Sequence, residues 1–192
     1  MDKYNKTLFQ TINGEDKKYS KVHKRCLQHN GCIVDLGCLM WNWSKFFIGK
    51  KTVIGADPFE KRIENALFFE GLVSNFDGHI NMKKKDFLAS SDMFEEGGHK
   101  KEVLSWRSFV NKFRIEEISV LKMNIEGAEY DLLKSFTKED FSKIDQIAVS
   151  FHEWLNPQWE KDTDECISIL KENNFDILDL GQFGWRLCIK ND

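Results

Sequence analysis

Short apolar runs recur along the chain and are separated by longer stretches in which polar and charged residues predominate. The runs at 32–35, 51–59, 119–127 and 146–154 are rich in Val and Ile, and each ends at or near a polar or turn-forming residue. Runs of this length with such boundaries predict β-strands that are buried on both faces. A less regular segment at 80–87 predicts one more strand.

Between the strands, apolar residues recur at helical spacing. In the segment 60–72, Ile63, Leu67 and Phe68 share one face of a helix. Ser105 is a residue type that caps helix N-termini, so it predicts a helix start at that point. The predicted helices cover 16–29, 42–48, 60–72, 105–113, 128–136 and 162–174.

A long polar segment, 88–104, predicts a loop because it has no periodicity and contains Gly97 and Gly98. Loops of this length in compact domains either carry function or are disordered. Two interpretations therefore stay open for 89–101, a lid over a substrate or a disordered segment.

The last two apolar runs, 175–180 and 185–190, are separated by only four residues. Parallel neighbours need a crossover of a dozen or more residues, so these two runs must pair as an antiparallel hairpin. The earlier alternation of strands and helices predicts a mostly parallel sheet with helices on both faces. The pattern as a whole predicts an α/β fold that ends in an antiparallel hairpin.

A length of 192 residues suits one domain with a sizeable core. We predict a single domain over 31–192, with residues 1–30 as a polar, helical extension packed on it. The net charge of −3, with Lys and Arg scattered among Asp and Glu, argues against a nucleic-acid partner, whose recognition needs a basic patch.

Five cysteines are present, and no two of them form a Cys-x-x-Cys pair. Zinc sites need closely paired ligands, so the cysteines predict reduced thiols in a cytoplasmic protein with no bound metal. The first twenty residues are polar rather than a charged-then-apolar leader, and no apolar run is long enough to cross a bilayer. We therefore expect no membrane association.

Three segments of the chain carry a family resemblance. They are "IVDLGCLMWNWS" with "VIGADPFE", then "VLKMNIEGAEYDLL", then "IAVSFHEWL". In order and spacing they resemble the FkbM family of S-adenosylmethionine-dependent methyltransferases over roughly Gly31 to Cys188. The most specific match is to the family pattern Lys-x-Asp-x-Glu-Gly-Ala-Glu, which stands here as Lys122, Asn124, Glu126, Gly127, Ala128 and Glu129. The resemblance implies a class I, Rossmann-like fold with a seven-stranded methyltransferase sheet.

The first segment suits a cradle for that cofactor. Gly37 stands where the chain turns from strand into helix, and backbone N–H groups after it can meet a carboxylate such as that of the methionine part. Asp35 lies at the carboxyl edge of the sheet, and Asp57, twenty residues beyond the turn, suits the ribose hydroxyls. Asp86, after the third strand, is placed to reach the adenine. The predicted cofactor-binding residues are Asp35, Gly37, Cys38, Asp57, Pro58, Asp86 and Asn124.

The chain departs from the family pattern at three positions. The family commonly has Asn and Gly where this chain has Leu39 and Trp41. We expect the Trp41 side chain to point outward, over the rim or into a neighbouring helix; the alternative is that Trp41 and Trp43 pack as core or rim aromatics. Asn124 replaces the family's Asp, and an amide neither accepts a proton nor binds a divalent cation strongly.

Methyl transfer to a hydroxyl needs alignment of the oxygen and removal of its proton. Glu126 closes the fourth predicted strand and His152 closes the fifth, so both reach the sheet edge of the cofactor. We predict these two as the catalytic residues. For His152 a purely structural hydrogen bond is the alternative, and for Glu129 the plainer role is to stabilise the helix dipole.

The resemblance implies O-methylation of a sugar or small metabolite, so the expected partner is a small-molecule or glycan acceptor. The aromatics Trp154, Pro157 and Trp159 suit stacking on a sugar ring or, equally, burial of a helix end. One alternative function is a catalytically degenerate protein that acts as a binding module. Another is a nicotinamide-dependent oxidoreductase, which lacks support because no Gly-x-Gly-x-x-Gly follows the first strand.

Overall fold

The computed structural model describes residues 9–11, 21–82, 98–181 and 183–191. Within this part the strands are β1 (Phe9–Thr11), β2 (Lys21–His23), β3 (Cys32–Leu36), β4 (Val53–Ala56), β5 (Leu67–Phe69), β6 (Leu72–Ser74), β7 (Gly78–Met82), β8 (His99–Ser105), β9 (Ile118–Met123), β10 (Gln146–Ser150), β11 (Phe175–Asp179) and β12 (Trp185–Lys190). The α-helices are α1 (Trp106–Phe113), α2 (Glu129–Ser135), α3 (Lys138–Ser142) and α4 (Glu160–Glu172). Short 3-10 helices span Lys24–Leu27, Leu39–Trp41, Ser44–Phe47 and Pro157–Trp159.

The main sheet contains seven of the described strands in the spatial order β5-β4-β3-β9-β10-β12-β11. The strands from β5 to β10 run parallel, whereas β12 pairs antiparallel with both β10 and β11. The predicted α/β fold with a mostly parallel sheet is confirmed, and β11 and β12 pair as their short connection requires. The carboxyl ends of the parallel strands meet at one edge of the sheet, where ligands of such folds collect.

Side chains of β3 alternate between two apolar cores, with Val34 and Leu36 in one and Ile33 in the other. The first core packs against all four described α-helices. The second packs against the 3-10 helices that precede and follow β3. The expectation of helices on both faces therefore needs a correction, because in the described part of the chain the α-helices cover one face and 3-10 segments cover the other.

The predicted helix over 16–29 is wrong where it is described, since this segment forms β2 and then a 3-10 helix. The side chain of Gln146 explains the extended start: its Oε1 accepts from His23 N at 2.9 Å and its Nε2 donates to His23 O at 3.1 Å. Arg25 adds an ion pair of 2.8 Å with Asp145. The backbone N–H and C=O groups of His23 thus bond to the distant side chain of Gln146 rather than to neighbours within a helix.

The predicted helix over 60–72 is also wrong, because its second half forms β5 and the start of β6. A turn with Asn65 at φ +60° leads into β5, which completes the edge of the main sheet beside β4. Phe69 is thereby buried in the core. Pairing with the sheet outweighs the helical spacing of the apolar residues.

Other elements differ in type or place. The helix expected over 42–48 is a 3-10 turn, and the strand expected at 80–87 begins as β7 in a separate sheet of order β6-β8-β7. The predicted loop 88–104 contains most of β8, while residues 83–97, including part of the expected lid, lie outside the described residues. The helix after Ser105, the helix after Ala128 and the last helix are confirmed. Among the described residues, no helix has the length and apolar character needed to cross a membrane.

Candidate functional site

The chain turns sharply after β3 at Gly37, whose φ of +73° lies in the left-handed region. A Cβ at this position would lie 2.0 Å from the backbone oxygen of Asn124. The end of β9 thus presses directly on the turn, and Asn124 N donates to Leu36 O at 3.1 Å. Glycine is required here because β9 approaches the turn closely, so the turn and the end of β9 form one unit at the carboxyl edge.

A buried lysine holds this turn. Lys122 Nζ donates to the backbone oxygens of Gly37 at 2.6 Å and Leu36 at 3.2 Å, and it forms an ion pair of 2.8 Å with Asp35 Oδ1. The second oxygen of Asp35 accepts from Ser44 Oγ at 2.6 Å. Asp35 is 0% exposed. Both of its oxygens are therefore engaged by the protein, which places Asp35 behind the turn rather than in front of it.

The backbone of Trp41 has a conformation that is unusual for a non-glycine residue. Its φ is +55°, as is that of Met40, although left-handed geometry costs a non-glycine residue about 1 kcal/mol. The turn thus retains a glycine-type conformation at the position where the family commonly has Gly. The indole is 1% exposed, donates from Nε1 to Lys61 O at 2.8 Å and contacts the Phe68 ring at a centroid distance of 5.5 Å.

The expectation of an outward Trp41 is wrong, and its packing as a core aromatic is what the structure shows. The ring lies against β4, where a Cβ on Gly55 would come within 2.3 Å of Trp41 Cη2. Trp43 and Cys38 belong to the same core. Burial raises the pKa of the Cys38 thiol, whose sulfur also lies close to Gly55. The side chain of Cys38 therefore faces the core rather than a ligand.

Asp57 follows β4 and is 7% exposed. Its Oδ1 accepts from the backbone N–H groups of Phe59 at 2.8 Å and Glu60 at 3.0 Å. Within the described residues its Oδ2 has no hydrogen-bond partner. Burial is the main cause that raises the pKa of Asp57, and the two backbone donors oppose it. Pro58 is half-buried beside it, and the predicted adenine contact Asp86 lies outside the described residues.

Glu126, His152 and Glu129 form a line of hydrogen-bonding groups at the ends of β9 and β10. His152 Nδ1 donates to Glu129 Oε1 at 2.7 Å, and His152 Nε2 lies 3.5 Å from Glu126 Oε2. The other oxygen of Glu129 accepts from Gly127 N at 2.9 Å, and His152 N donates to the Tyr130 hydroxyl at 3.0 Å. His152 and Glu129 are fully buried, whereas 22% of the Glu126 side chain is exposed. Glu126 is thus the end of the line that a ligand can reach.

The charges in this line alter its proton affinities. Burial by itself lowers the pKa of His152, but the hydrogen bond to Glu129 and the charges of Glu129, Glu126 and Glu153 outweigh it, so the pKa is raised. Burial raises the pKa of Glu126, with the Glu129 charge acting in the same direction and the His152 charge against it. His152 is therefore placed to orient Glu126, and Glu126, as the partly exposed carboxylate of the line, is the group that can meet an acceptor proton.

A comparison with known families gives this geometry a context. A protein-family model described as the methyltransferase FkbM domain matches residues 49–177, which is more than half of the chain. The chain belongs to the FkbM methyltransferase family. Among curated protein sequences, none matches the chain significantly.

A solved FkbM methyltransferase shares the fold. The crystal structure of methyltransferase FkbM from Methylobacillus flagellatus KT matches with a TM-score of 0.51 at 16% sequence identity. The match covers 83% of the present chain but only 43% of that protein. The likeness therefore concerns the fold, and the chain is similar to less than half of that longer protein.

In this FkbM-family chain, the structure brings several predicted residues together and adds two more. Gly37 and Asn124 are in contact, and Glu126 faces His152. Lys122 and Glu129 were not among the predicted site residues. Both residues stand in the family motif. A lysine within an otherwise apolar strand indicates a buried partner of opposite charge, and Asp35 lies directly opposite Lys122 on the neighbouring strand β3.

The aromatic residues after β10 differ in their surroundings. Trp159 packs over Gly127, where a Cβ would come within 2.7 Å of its ring, and against Tyr130 at 5.6 Å. Trp154 is 50% exposed, with its ring 6.0 Å from that of His152 and 5.5 Å from that of Phe183. Trp159 therefore buries the start of α2 and α4, while Trp154 borders the Glu126 site.

We expect Gly55→Ala to destabilise this FkbM-family chain by about 1–3 kcal/mol, because the added methyl collides with the rigid Trp41 ring. Urea unfolding followed by tryptophan fluorescence measures the change. Gly78→Ala is a matched control, since a Cβ there comes no closer than 3.4 Å to any neighbour. Equal stability of the Gly55→Ala variant and the parent would contradict the packing described for Trp41.

Proposed function

We propose that the chain transfers a methyl group from S-adenosylmethionine to a hydroxyl oxygen of a small-molecule or glycan acceptor, with Glu126 as the general base. The observation that carries this proposal is the line Glu129–His152–Glu126, which ends in a partly exposed carboxylate shortly after the end of β9. The family membership supports methyl transfer, and the choice of oxygen acceptor rests on the presence of a base.

The residues at the carboxyl edge fit the nucleoside part of this cofactor. Asp57 Oδ2 has no hydrogen-bond partner among the described residues, and a carboxylate at the end of β4 suits ribose hydroxyls. The side-chain amide of Asn124 also has no hydrogen-bond partner within the described residues, and the backbone of Asn124 contacts the Gly37 turn. When bound, the cofactor supplies a methyl group activated by a positively charged sulfur.

The protein then has to orient the acceptor and remove one proton. Glu126 accepts the proton of the acceptor hydroxyl, and its raised pKa makes it a stronger base than an ordinary carboxylate. His152 fixes the Glu126 carboxylate from its buried side, and Glu129 fixes the ring of His152. Glu126 has a φ of +56°, so the backbone itself turns at the point where the base is presented.

Calorimetric titration of the chain with S-adenosylmethionine and S-adenosylhomocysteine tests the cofactor. An assay for the release of S-adenosylhomocysteine with hydroxylated acceptors then tests the transfer. We expect heat with both ligands and release that depends on the acceptor. The absence of heat with both ligands would refute the cofactor assignment.

Asp57→Asn is expected to weaken S-adenosylhomocysteine binding by about 1.5–3 kcal/mol, the value of a hydrogen bond to a charged group. Asn keeps the oxygen that accepts from Phe59 N and Glu60 N, so the turn is preserved while one acceptor for the ribose is lost. Calorimetry measures the change, with the exposed Asp164→Asn as control. An unchanged dissociation constant would show that the ribose is held elsewhere.

A further inference from the structure

The backbone donors of the turn after Gly37 do not all bond within the turn. Gly37 N donates to a carbonyl of β4 at 2.9 Å, and Trp41 N donates to a carbonyl of the turn at 2.7 Å. Met40 N instead donates to a side-chain carboxylate, Glu60 Oε2, at 2.6 Å. The protein's own glutamate thus occupies a donor of the turn that a cofactor carboxylate would approach.

Several contacts hold Glu60 at this position. Its other oxygen accepts from Lys61 N at 2.8 Å, and its backbone N donates to Asp57 Oδ1 at 3.0 Å. Trp41 Nε1 donates to Lys61 O at 2.8 Å, which ties the loop after β4 to the turn after β3. These loops follow neighbouring parallel strands, so they border the same part of the carboxyl edge.

The Glu60 contact lies at the surface, where it can break without loss of core packing. The hydrogen bond between Met40 and Glu60 is exposed, and Met40 as a residue is 49% exposed. The neighbouring Trp41, by contrast, is locked in the core. A ligand can therefore displace the Glu60 carboxylate while the turn keeps its backbone conformation.

We propose that Glu60 is a specificity-determining residue that competes with the carboxylate of the methyl donor for the Met40 N–H group. This inference rests on the proposed function, since it concerns the amino-acid end of the same nucleoside cofactor. Two carboxylates cannot share one donor without repulsion, so the amino-acid end binds only after Glu60 has moved away. A nucleoside that lacks a carboxylate binds without that displacement. The chain therefore discriminates at the amino-acid end of its ligand.

The test compares two probes on the full chain. S-adenosylhomocysteine carries the amino-acid carboxylate, whereas 5′-deoxy-5′-methylthioadenosine has the same adenosine thioether without it. Calorimetry measures both dissociation constants for the parent and for Glu60→Gln, which keeps the shape of the side chain and removes its charge. Glu60→Ala, which also removes the acceptor, is the second variant, and Glu64→Gln is the control on the same loop, where the side chain is exposed.

We expect Glu60→Gln to raise the affinity for S-adenosylhomocysteine about tenfold, the scale of one charge-assisted hydrogen bond, and Glu60→Ala to raise it at least as much. The affinity for 5′-deoxy-5′-methylthioadenosine stays unchanged in both variants, and Glu64→Gln alters neither affinity. An unchanged affinity for S-adenosylhomocysteine, or an equal change for the two probes, overturns the proposed role of Glu60 but not the proposed cofactor. Absence of binding by both probes in every variant overturns this role together with the proposed cofactor.

Discussion

Glu126→Gln is expected to lower kcat by about 10²–10⁴-fold, the usual contribution of a positioned general base. Gln has nearly the same shape as Glu, but its amide cannot accept the proton of an acceptor hydroxyl. The affinity for S-adenosylhomocysteine should stay nearly unchanged, because Glu126 faces His152 rather than the Asp57 side of the site. The measurements are an assay for S-adenosylhomocysteine release and calorimetry on the same preparation.

The pH profile separates loss of a base from loss of structure. The raised pKa of Glu126 means that kcat of the parent rises with pH as this carboxyl loses its proton and then reaches a plateau. That rise should be absent in Glu126→Gln. Asp131→Asn is the control, since this exposed carboxylate lies on the outer side of α2. A variant with parental kcat would show that another group accepts the proton.

Lys122→Met is expected to destabilise the chain by about 3–5 kcal/mol, the effect of removing one partner of a buried ion pair. The loss leaves the Asp35 carboxylate, which is 0% exposed, without its ion-pair partner. It also leaves the backbone oxygens of Leu36 and Gly37 without their buried donor. The free energy of unfolding from urea denaturation measures the effect, and a marginally stable domain can lose its fold altogether.

Two further variants show whether the effect comes from the unpaired charge. The double variant Lys122→Met/Asp35→Asn should recover part of the lost stability, because it contains no isolated buried charge and the Asn oxygen can still accept from Ser44. Lys134→Met removes a partly exposed lysine that pairs with Asp162 at 2.6 Å, and its effect should stay below about 1 kcal/mol. Equal losses for Lys122→Met and Lys134→Met would mean that the buried pair does not stabilise the turn.

The central strands and the longer helices could be predicted because their local signals agree with their surroundings. The run at 32–34 is apolar on both sides, as expected of a strand at the centre of a covered sheet. The helix at Ser105 has a capping side chain that accepts from Ser108 N at 3.2 Å, which its sequence position indicates. The helix prediction for 60–72 was wrong because its apolar spacing is also compatible with a helix. In the fold, part of this segment pairs with the edge of β4 and forms a strand.

The candidate site was predictable to the extent that its residues follow strands. Asp57, Glu126 and His152 each come after a parallel strand, so the topology brings them to one edge. The first-turn position of Glu129 predicted a role in the helix dipole, which its location at the start of α2 still permits. Its hydrogen bond to His152 could not be read from the sequence, because the two residues are 23 positions apart and meet only through the pairing of β9 and β10.

The sequence by itself determined the α/β alternation, the final hairpin and the chemical groups at the carboxyl ends of the strands. Only the tertiary structure decided which of those groups face one another. The pairing of Lys122 with Asp35, the packing of Trp41 on Gly55 and the bond from Met40 to Glu60 all depend on strand register and backbone dihedrals. These contacts join residues that are far apart along the chain, and neither spacing nor periodicity encodes the distance between such side chains.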